Sequence, residues 1–232
     1  MPSARGHIAS SGLRPGCGRV VSLLRDRPQG VLLDLLMGVM NSLAAWTDAA
    51  GKPELGLRWR DAVTETMVAA RAYTPYEELV ASAARRLGLA ATATRELLDA
   101  WSRMEPWPDA AALSHLSLPY GFVTNTSMDL ARIAADRSRL RPRFTLSAQE
   151  AGWFKPEPAV YVAACRRLGT PPGQTIFVAG SSYDAAGAHV AGLPAWLVAR
   201  RPDHEPTESS IAVATSLEEV VAVIAADRAE PD

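Results

Sequence analysis

The chain has 232 residues, 48% of them hydrophobic and 21% charged, which is enough apolar material for one large core or a core carrying a smaller domain. A formal net charge of -1, with basic residues spread along the chain, gives no electrostatic ground for nucleic acid or an acidic membrane as a partner. The only two cysteines, Cys17 and Cys165, argue against a disulfide framework and suit a reducing, cytoplasmic setting.

Met1 to Gly30 reads as a disordered leader rich in arginine, glycine and proline. Its one apolar stretch, Val20 to Leu24, is too short for a signal-peptide core, and no run in the chain reaches membrane-spanning length. Val31-Leu32-Leu33 is a first strand ending at Asp34, after which Asn41 or Ser42 caps a helix through Trp46. Leu55 to about Tyr73 carries a helical pattern. Thr74-Pro75-Tyr76-Glu77 then combines an N-cap, proline at N1 and glutamate at N3, opening a second helix, and Thr94 to Met104 is a third. Pro106 and Pro108 punctuate a return to strand. Tyr120 to Val123 ends at Thr124-Asn125, followed by Ser127 and a helix from Met128 to Ala135. Thr175 to Val178 ends at Ala179-Gly180-Ser181, followed by a helix from Asp184 to Val190. Ala195 to Ala199 is a further strand, and Ser216-Leu217-Glu218-Glu219 is a capping box opening a helix to Ala226.

Strands alternating with helices predict an α/β fold with a Rossmann-like parallel sheet. The core comprises 31–40 and 111–232, and the successive helical patterns of 41–110 form an inserted helical cap.

In such sheets reactive groups collect beyond the carboxyl ends of the strands. Asp34, Thr124, Asn125 and Asp184 fall at or just past such ends, and Lys155 sits in the loop and helix start before the strand at Thr175. Asp34 alone can be a nucleophile, a metal ligand or a helix cap; the set favours the nucleophile. A carboxylate nucleophile needs a cation to keep it ionised and in place. Lys155 is one of two lysines in a chain that otherwise uses arginine. Asp184 can orient it, and Thr124 offers a hydroxyl to a substrate anion. The plainer readings are a solvated surface charge for Arg60, a helix cap for Asn125 and Asp184, and packing for Tyr161.

The order of these residues resembles the four motifs of the haloacid dehalogenase superfamily, from Val31 to about Pro202, and is most similar to the type II L-2-haloacid dehalogenases. Val31-Leu32-Leu33-Asp34 matches the nucleophile strand, and Trp59-Arg60 looks like the family's halide-abstracting arginine. Thr124-Asn125 matches its substrate-binding Ser-Asn pair. Lys155-Pro156-Glu157 with Tyr161 matches its Lys-Pro-Asp/Glu…Tyr passage, and Phe177 through Ala188 its Asp-Ala-x-Gly-Ala passage. Departures are Leu36 and Gly38 after the nucleophile, and Ala179-Gly180-Ser181 where the family has Ser-Ser-Asn; Tyr183 keeps the aromatic before the aspartate.

The resemblance implies Asp34, Lys155 and Asp184 as catalytic residues, and Arg60, Thr124, Asn125, Tyr161 and Ser181 as substrate-binding residues. It implies displacement of halide from a small carboxylic acid through an aspartyl ester, with no cofactor. The superfamily's Mg-dependent phosphatases carry a second aspartate where this chain has Leu36, and another where it has Gly180. No metal is therefore expected. The rivals left open are such a phosphatase, a hydrolase displacing another leaving group, and a non-catalytic binding protein. A homodimer is also left open.

Overall fold

Val31, Leu32 and Leu33 lie at the centre of β1 (Gly30–Asp34), whose residues are all buried. A run of aliphatics with no polar alternation is what a strand covered on both faces requires. In the computed structural model, which describes residues 27–201, 205–206 and 211–229, β1 stands in the middle of a six-stranded sheet. Most of the expected leader, residues 1–26, lies outside the described residues.

The other strands are β2 (Tyr120–Thr124), β3 (Thr145–Ser147), β4 (Thr175–Ala179), β5 (Ala195–Val198) and β6 (Ala212–Ala214). Their order is β3-β2-β1-β4-β5-β6, and all pairings are parallel. Asp34 aligns with Val123 of β2, and Leu33 with Val178 of β4. The chain winds outward in both directions from β1, so the crevice beyond the carboxyl ends of β1, β2 and β4 is the natural place for a site. Alternate side chains feed two cores. Val31, Leu33, Ile176 and Val178 pack on one side with α9 (Leu217–Ala229). Leu32, Phe177 and Ala179 pack on the other with α7 (Pro158–Leu168) and α8 (Ser182–Val190).

Between β1 and β2 come α1 (Ser42–Ala50), α2 (Pro53–Ala70), α3 (Tyr76–Arg86) and α4 (Ala93–Ala100), with a 3-10 turn at Trp101–Arg103. Three buried tryptophans organise this insert. Trp46 and Trp59 meet edge-to-face at 5.0 Å, Trp59 Nε1 donates to Val80 O at 2.9 Å, and Trp101 is fully enclosed. The remaining helices are α5 (Met128–Ser138) and α6 (Ala148–Ala151). No helix among the described residues is long and apolar enough to cross a membrane.

Several local expectations change. Helix α3 starts at Tyr76 with Pro75, not Thr74, in the N-cap position, and Glu78 N bonds Pro75 O at 3.1 Å. Glu77 does not close a capping box; it accepts a 2.5 Å hydrogen bond from Ser127 Oγ on the core. At α9 Ser216 Oγ accepts from Glu219 N at 3.3 Å, as the capping box requires, but Glu219 reaches back one residue further and accepts from Thr215 N and Oγ1 at 2.7 and 2.8 Å. Pro106 and Pro108 lead first into a 3-10 segment, Pro108–His115, before β2 begins. Asp109 of that segment accepts from Leu217 N and Arg200, so residues 108–110, expected in the cap, pack on the core. The edge strands β3 and β6 go beyond what the sequence pattern predicts. Each has only three residues, and only pairing with a neighbour distinguishes so short a strand from loop.

Candidate active site

Asp34 is the last residue of β1, and a single wide helical turn, Leu35–Val39, follows it. That turn is clamped from outside. Trp107 Nε1 donates to Met37 O at 3.0 Å, and Arg200 Nη2 donates to Gly38 O at 2.8 Å. It is also clamped from beneath by Gly180, where a Cβ would lie 2.3 Å from the carbonyl carbon of Met37 and 2.4 Å from Gly38 N. Position 180 therefore admits no side chain unless the turn beside the nucleophile moves.

Lys155 is fully buried, and its ammonium holds the centre of the site. Nζ donates to Asp34 Oδ1 at 2.9 Å, to Asp184 Oδ2 at 2.6 Å and to Val123 O at 3.4 Å. Asn125 fixes the lysine's own main chain: Lys155 N donates to Asn125 Oδ1 at 2.7 Å, and Asn125 Nδ2 donates to Lys155 O at 2.9 Å. Asn125 thus spends its carbonyl and one of its two N–H donors on the lysine loop, and keeps one donor for the cavity. Tyr161, on α7, donates to Asp184 Oδ1 at 2.5 Å. Pro156 and the Tyr161 hydroxyl crowd against Gly187, whose missing side chain makes room for both.

Two carboxylates share one buried ammonium. Burial pushes Asp184 up to about 6, against the opposing pull of Lys155 and with the help of Asp34. Burial alone would depress the Lys155 ammonium, but Asp184 and Asp34 reverse this and hold it above the ordinary lysine value. Burial also raises the Tyr161 and Tyr183 hydroxyls, the latter to about 12, so both phenols stay neutral donors.

Asp34 opens onto a cavity of about 40 Å³, closed on its far side by the insert. Such a volume holds roughly three waters. Asp34, Thr124, Asn125 and Lys155 form the core wall, and Arg60 faces them from α2. Tyr161, Ser181 and Asp184, by contrast, are not on the wall. Tyr161 lies behind Asp184 because α7 packs under the sheet. Ser181 is buried in the N-cap position of α8, and its hydroxyl makes no capping bond. Asp184 is wholly enclosed, with both carboxylate oxygens taken by Lys155 and Tyr161.

Sequence reasoning missed much of the insert wall, including Trp46, Val63, Thr64, Met67 and Tyr76. A signal existed: Arg60, Val63, Thr64 and Met67 recur at i, i+3, i+4 and i+7, one face of a helix. A larger open groove of about 650 Å³ runs between α5 and β3, but it has no buried carboxylate–lysine pair. Among the described residues no three or more His, Cys, Asp or Glu side chains are grouped to hold a metal. A Mg²⁺ ion needs several hard oxygen ligands. Here the Leu36 side chain has none to give, Gly180 has no room for a carboxylate, and both available carboxylates are committed to Lys155.

Residues 29–192 match the model of the haloacid dehalogenase-like hydrolase family. The chain belongs to that family of hydrolases. It is similar to an (S)-2-haloacid dehalogenase of Burkholderia cepacia, 29% identical over 103 residues, which is 42% of this chain and 45% of the relative. The chain spans about half the length of the curated dehalogenases it matches first. A protein of Mycobacterium tuberculosis named as a phosphatase is 32% identical over 158 residues, 62% of this chain and 68% of that protein. Among solved structures, the L-2-haloacid dehalogenase from Xanthobacter autotrophicus has a TM-score of 0.74 at 20% identity, covering 85% of this chain and 98% of that one. That likeness shows a shared fold.

Proposed function

We propose that the protein hydrolyses the carbon–halide bond of a small 2-haloacid, without a metal, through an ester of Asp34. The observation that carries this reading is the buried Lys155 ammonium, bonded to Asp34 Oδ1 and Asp184 Oδ2, facing Arg60 across a small cavity. Lys155 occupies Oδ1 of Asp34, which leaves Oδ2 as the attacking atom. Oδ2 displaces halide from C2 with inversion, forming a C–O bond as the C–halide bond breaks. The halide leaves toward Arg60 and the uncommitted N–H of Asn125, and Thr124 with nearby amides receives the substrate carboxylate. Water then adds to Cγ of Asp34 and the ester C–O bond breaks, releasing the 2-hydroxy acid and one proton. Lys155 stabilises the charge of both steps, and Asp184 acts through it.

Halide release over a panel of 2-haloacids, with and without EDTA, tests this. Turnover that survives EDTA is the expected result; no release from any member sinks the reading. The similarity to a named phosphatase supports a second reading, hydrolysis of a phosphomonoester. Mg²⁺-dependent hydrolysis of p-nitrophenyl phosphate would favour it, against the misfit of Leu36 and Gly180.

A further inference from the structure

Two cations line the cavity, and Lys155 is already shared between two carboxylates. Arg60 is therefore the wall cation left to attract an anion. Its sequence neighbour works against it: Asp61 Oδ1 lies 3.2 Å from Arg60 Nη1. A carboxylate so placed would cancel the arginine's charge and draw its guanidinium aside. Arg201, beyond the end of β5, stands on the other side of the same carboxylate. Its Nη1 is 2.8 Å from Asp61 Oδ1 and its Nη2 is 3.4 Å from Oδ2, so Asp61 engages Arg201 with both oxygens and Arg60 with one.

Arg201 is also well anchored. The preceding residue, Arg200, makes a two-pronged pair with Asp109 at 2.9 and 2.9 Å, stacks on Trp107 at 5.0 Å, and bonds Gly38 O in the turn after Asp34. The arginine that holds Asp61 is thereby tied to the same frame as the nucleophile.

We infer that Arg201 is a positioning residue that shares the Asp61 carboxylate with Arg60 and takes up most of its charge, leaving the Arg60 charge available to an anion in the cavity. The inference rests on the reading of Arg60 as the anion-facing group, and it assigns Asp61 and Arg201 roles that neither has by touching substrate. The balance is one of charge. With Arg201 present, Asp61 is neutralised from the core and Arg60 keeps its charge; without Arg201, Asp61 pairs with Arg60 alone.

Bromide titration of the substrate-free protein reads this directly. Trp46 lines the cavity and contacts Trp59, the residue before Arg60, so tryptophan fluorescence reports occupancy. Arg201→Gln should weaken bromide binding by about fivefold, the scale of a partly exposed ion pair. Adding Asp61→Asn to Arg201→Gln should restore affinity to within about twofold of the unaltered protein, because the competing carboxylate is gone. A purely structural latch predicts the reverse: the doubly altered protein lacks the same ion pair and would bind no better than Arg201→Gln. That result, unchanged affinity in Arg201→Gln, or no saturable bromide binding that Arg60→Ala abolishes, would each overturn the inference. The proposed reaction fails separately. If 2-haloacids release no halide while this order of bromide affinities holds, the reaction is wrong and the role of Arg201 stands.

Discussion

The two walls of the cavity are built differently. On the core wall and just behind it nearly every polar atom is committed: Asp34, Lys155 and Asn125 on the wall, with Asp184 and Tyr161 behind them, form one chain of buried hydrogen bonds hung on strand ends and the Lys155 loop. On the insert wall Arg60, Val63, Thr64 and Met67 present one helical face, and its polar bonds stay local: Arg60 pairs with its neighbour Asp61, and the Thr64 hydroxyl donates to Arg60 O at 3.0 Å. A preorganised network suits charge that must be held still through a reaction. A packed helical face suits selection by size. Under the proposed reaction, this contrast assigns the chemistry to the core and the choice of substrate to the insert, which substitutions on each wall can test.

The largest effect belongs to the core wall. Asp34→Asn should abolish turnover, by roughly a thousandfold or more, because the attacking carboxylate is lost. In a single turnover in H₂¹⁸O with excess enzyme, product oxygen should come from the Asp34 carboxylate and be unlabelled, with the heavy isotope in the peptide containing Asp34. Label in the first-turnover product would mean that water attacks the substrate directly.

Lys155→Ala should cost stability as well as activity. Its side chain is 1% exposed, and its removal strands two carboxylates without a cation. Breaking such a buried pair costs about 3–5 kcal/mol. Urea denaturation at neutral pH measures this; a midpoint equal to that of the unaltered protein would show that the carboxylates are solvated and the core wall is not dry.

A smaller, pH-dependent effect distinguishes Asp184. Its folded value of about 6 lies above its ordinary value of 3.8, so between those limits the folded state binds a proton that the unfolded chain does not. From this group, stability therefore rises as pH falls from about 6 toward 4. Activity should fall over the same interval, because a protonated Asp184 no longer helps hold the Lys155 ammonium. Tyr161→Phe removes a hydrogen bond to the charged form, and should move the acid limb of kcat/KM upward while lowering the plateau by about tenfold. A plateau with no acid limb above pH 5 would remove Asp184 from the mechanism.

The smallest effect is expected on the insert. Met67→Ala, at a position 5% exposed, enlarges the cavity at a cost of about 2–3 kcal/mol in stability. It should shift preference toward longer 2-haloacids and change kcat on the smallest by only about twofold. Equal losses on all chain lengths would show that the insert wall also takes part in the chemistry.

Sequence pattern is enough to read the parallel α/β core, the helical insertion after the first strand, and the family. Long aliphatic runs that end in polar residues can be read without coordinates, because a strand buried on both faces leaves no other pattern. The spacing of Asp34, Thr124, Lys155 and Asp184 pointed to one end of the sheet for the same reason.

How these residues share the work follows from packing. Tyr161 and Ser181 stand at motif positions, yet α7 and the start of α8 turn them away from the cavity, Tyr161 onto Asp184. Asn125 serves the Lys155 main chain from a position thirty residues earlier in the sequence, a contact with no local signature. Gly180 looks like a lost carboxylate, but the Met37–Gly38 backbone occupies the space a side chain would need. Asp61 looks like an ordinary surface charge until β5 brings Arg201 against it. Each of these outcomes depends on distances between segments far apart in sequence, and local pattern carries no record of such distances; they are set when the sheet closes and the insert packs over it.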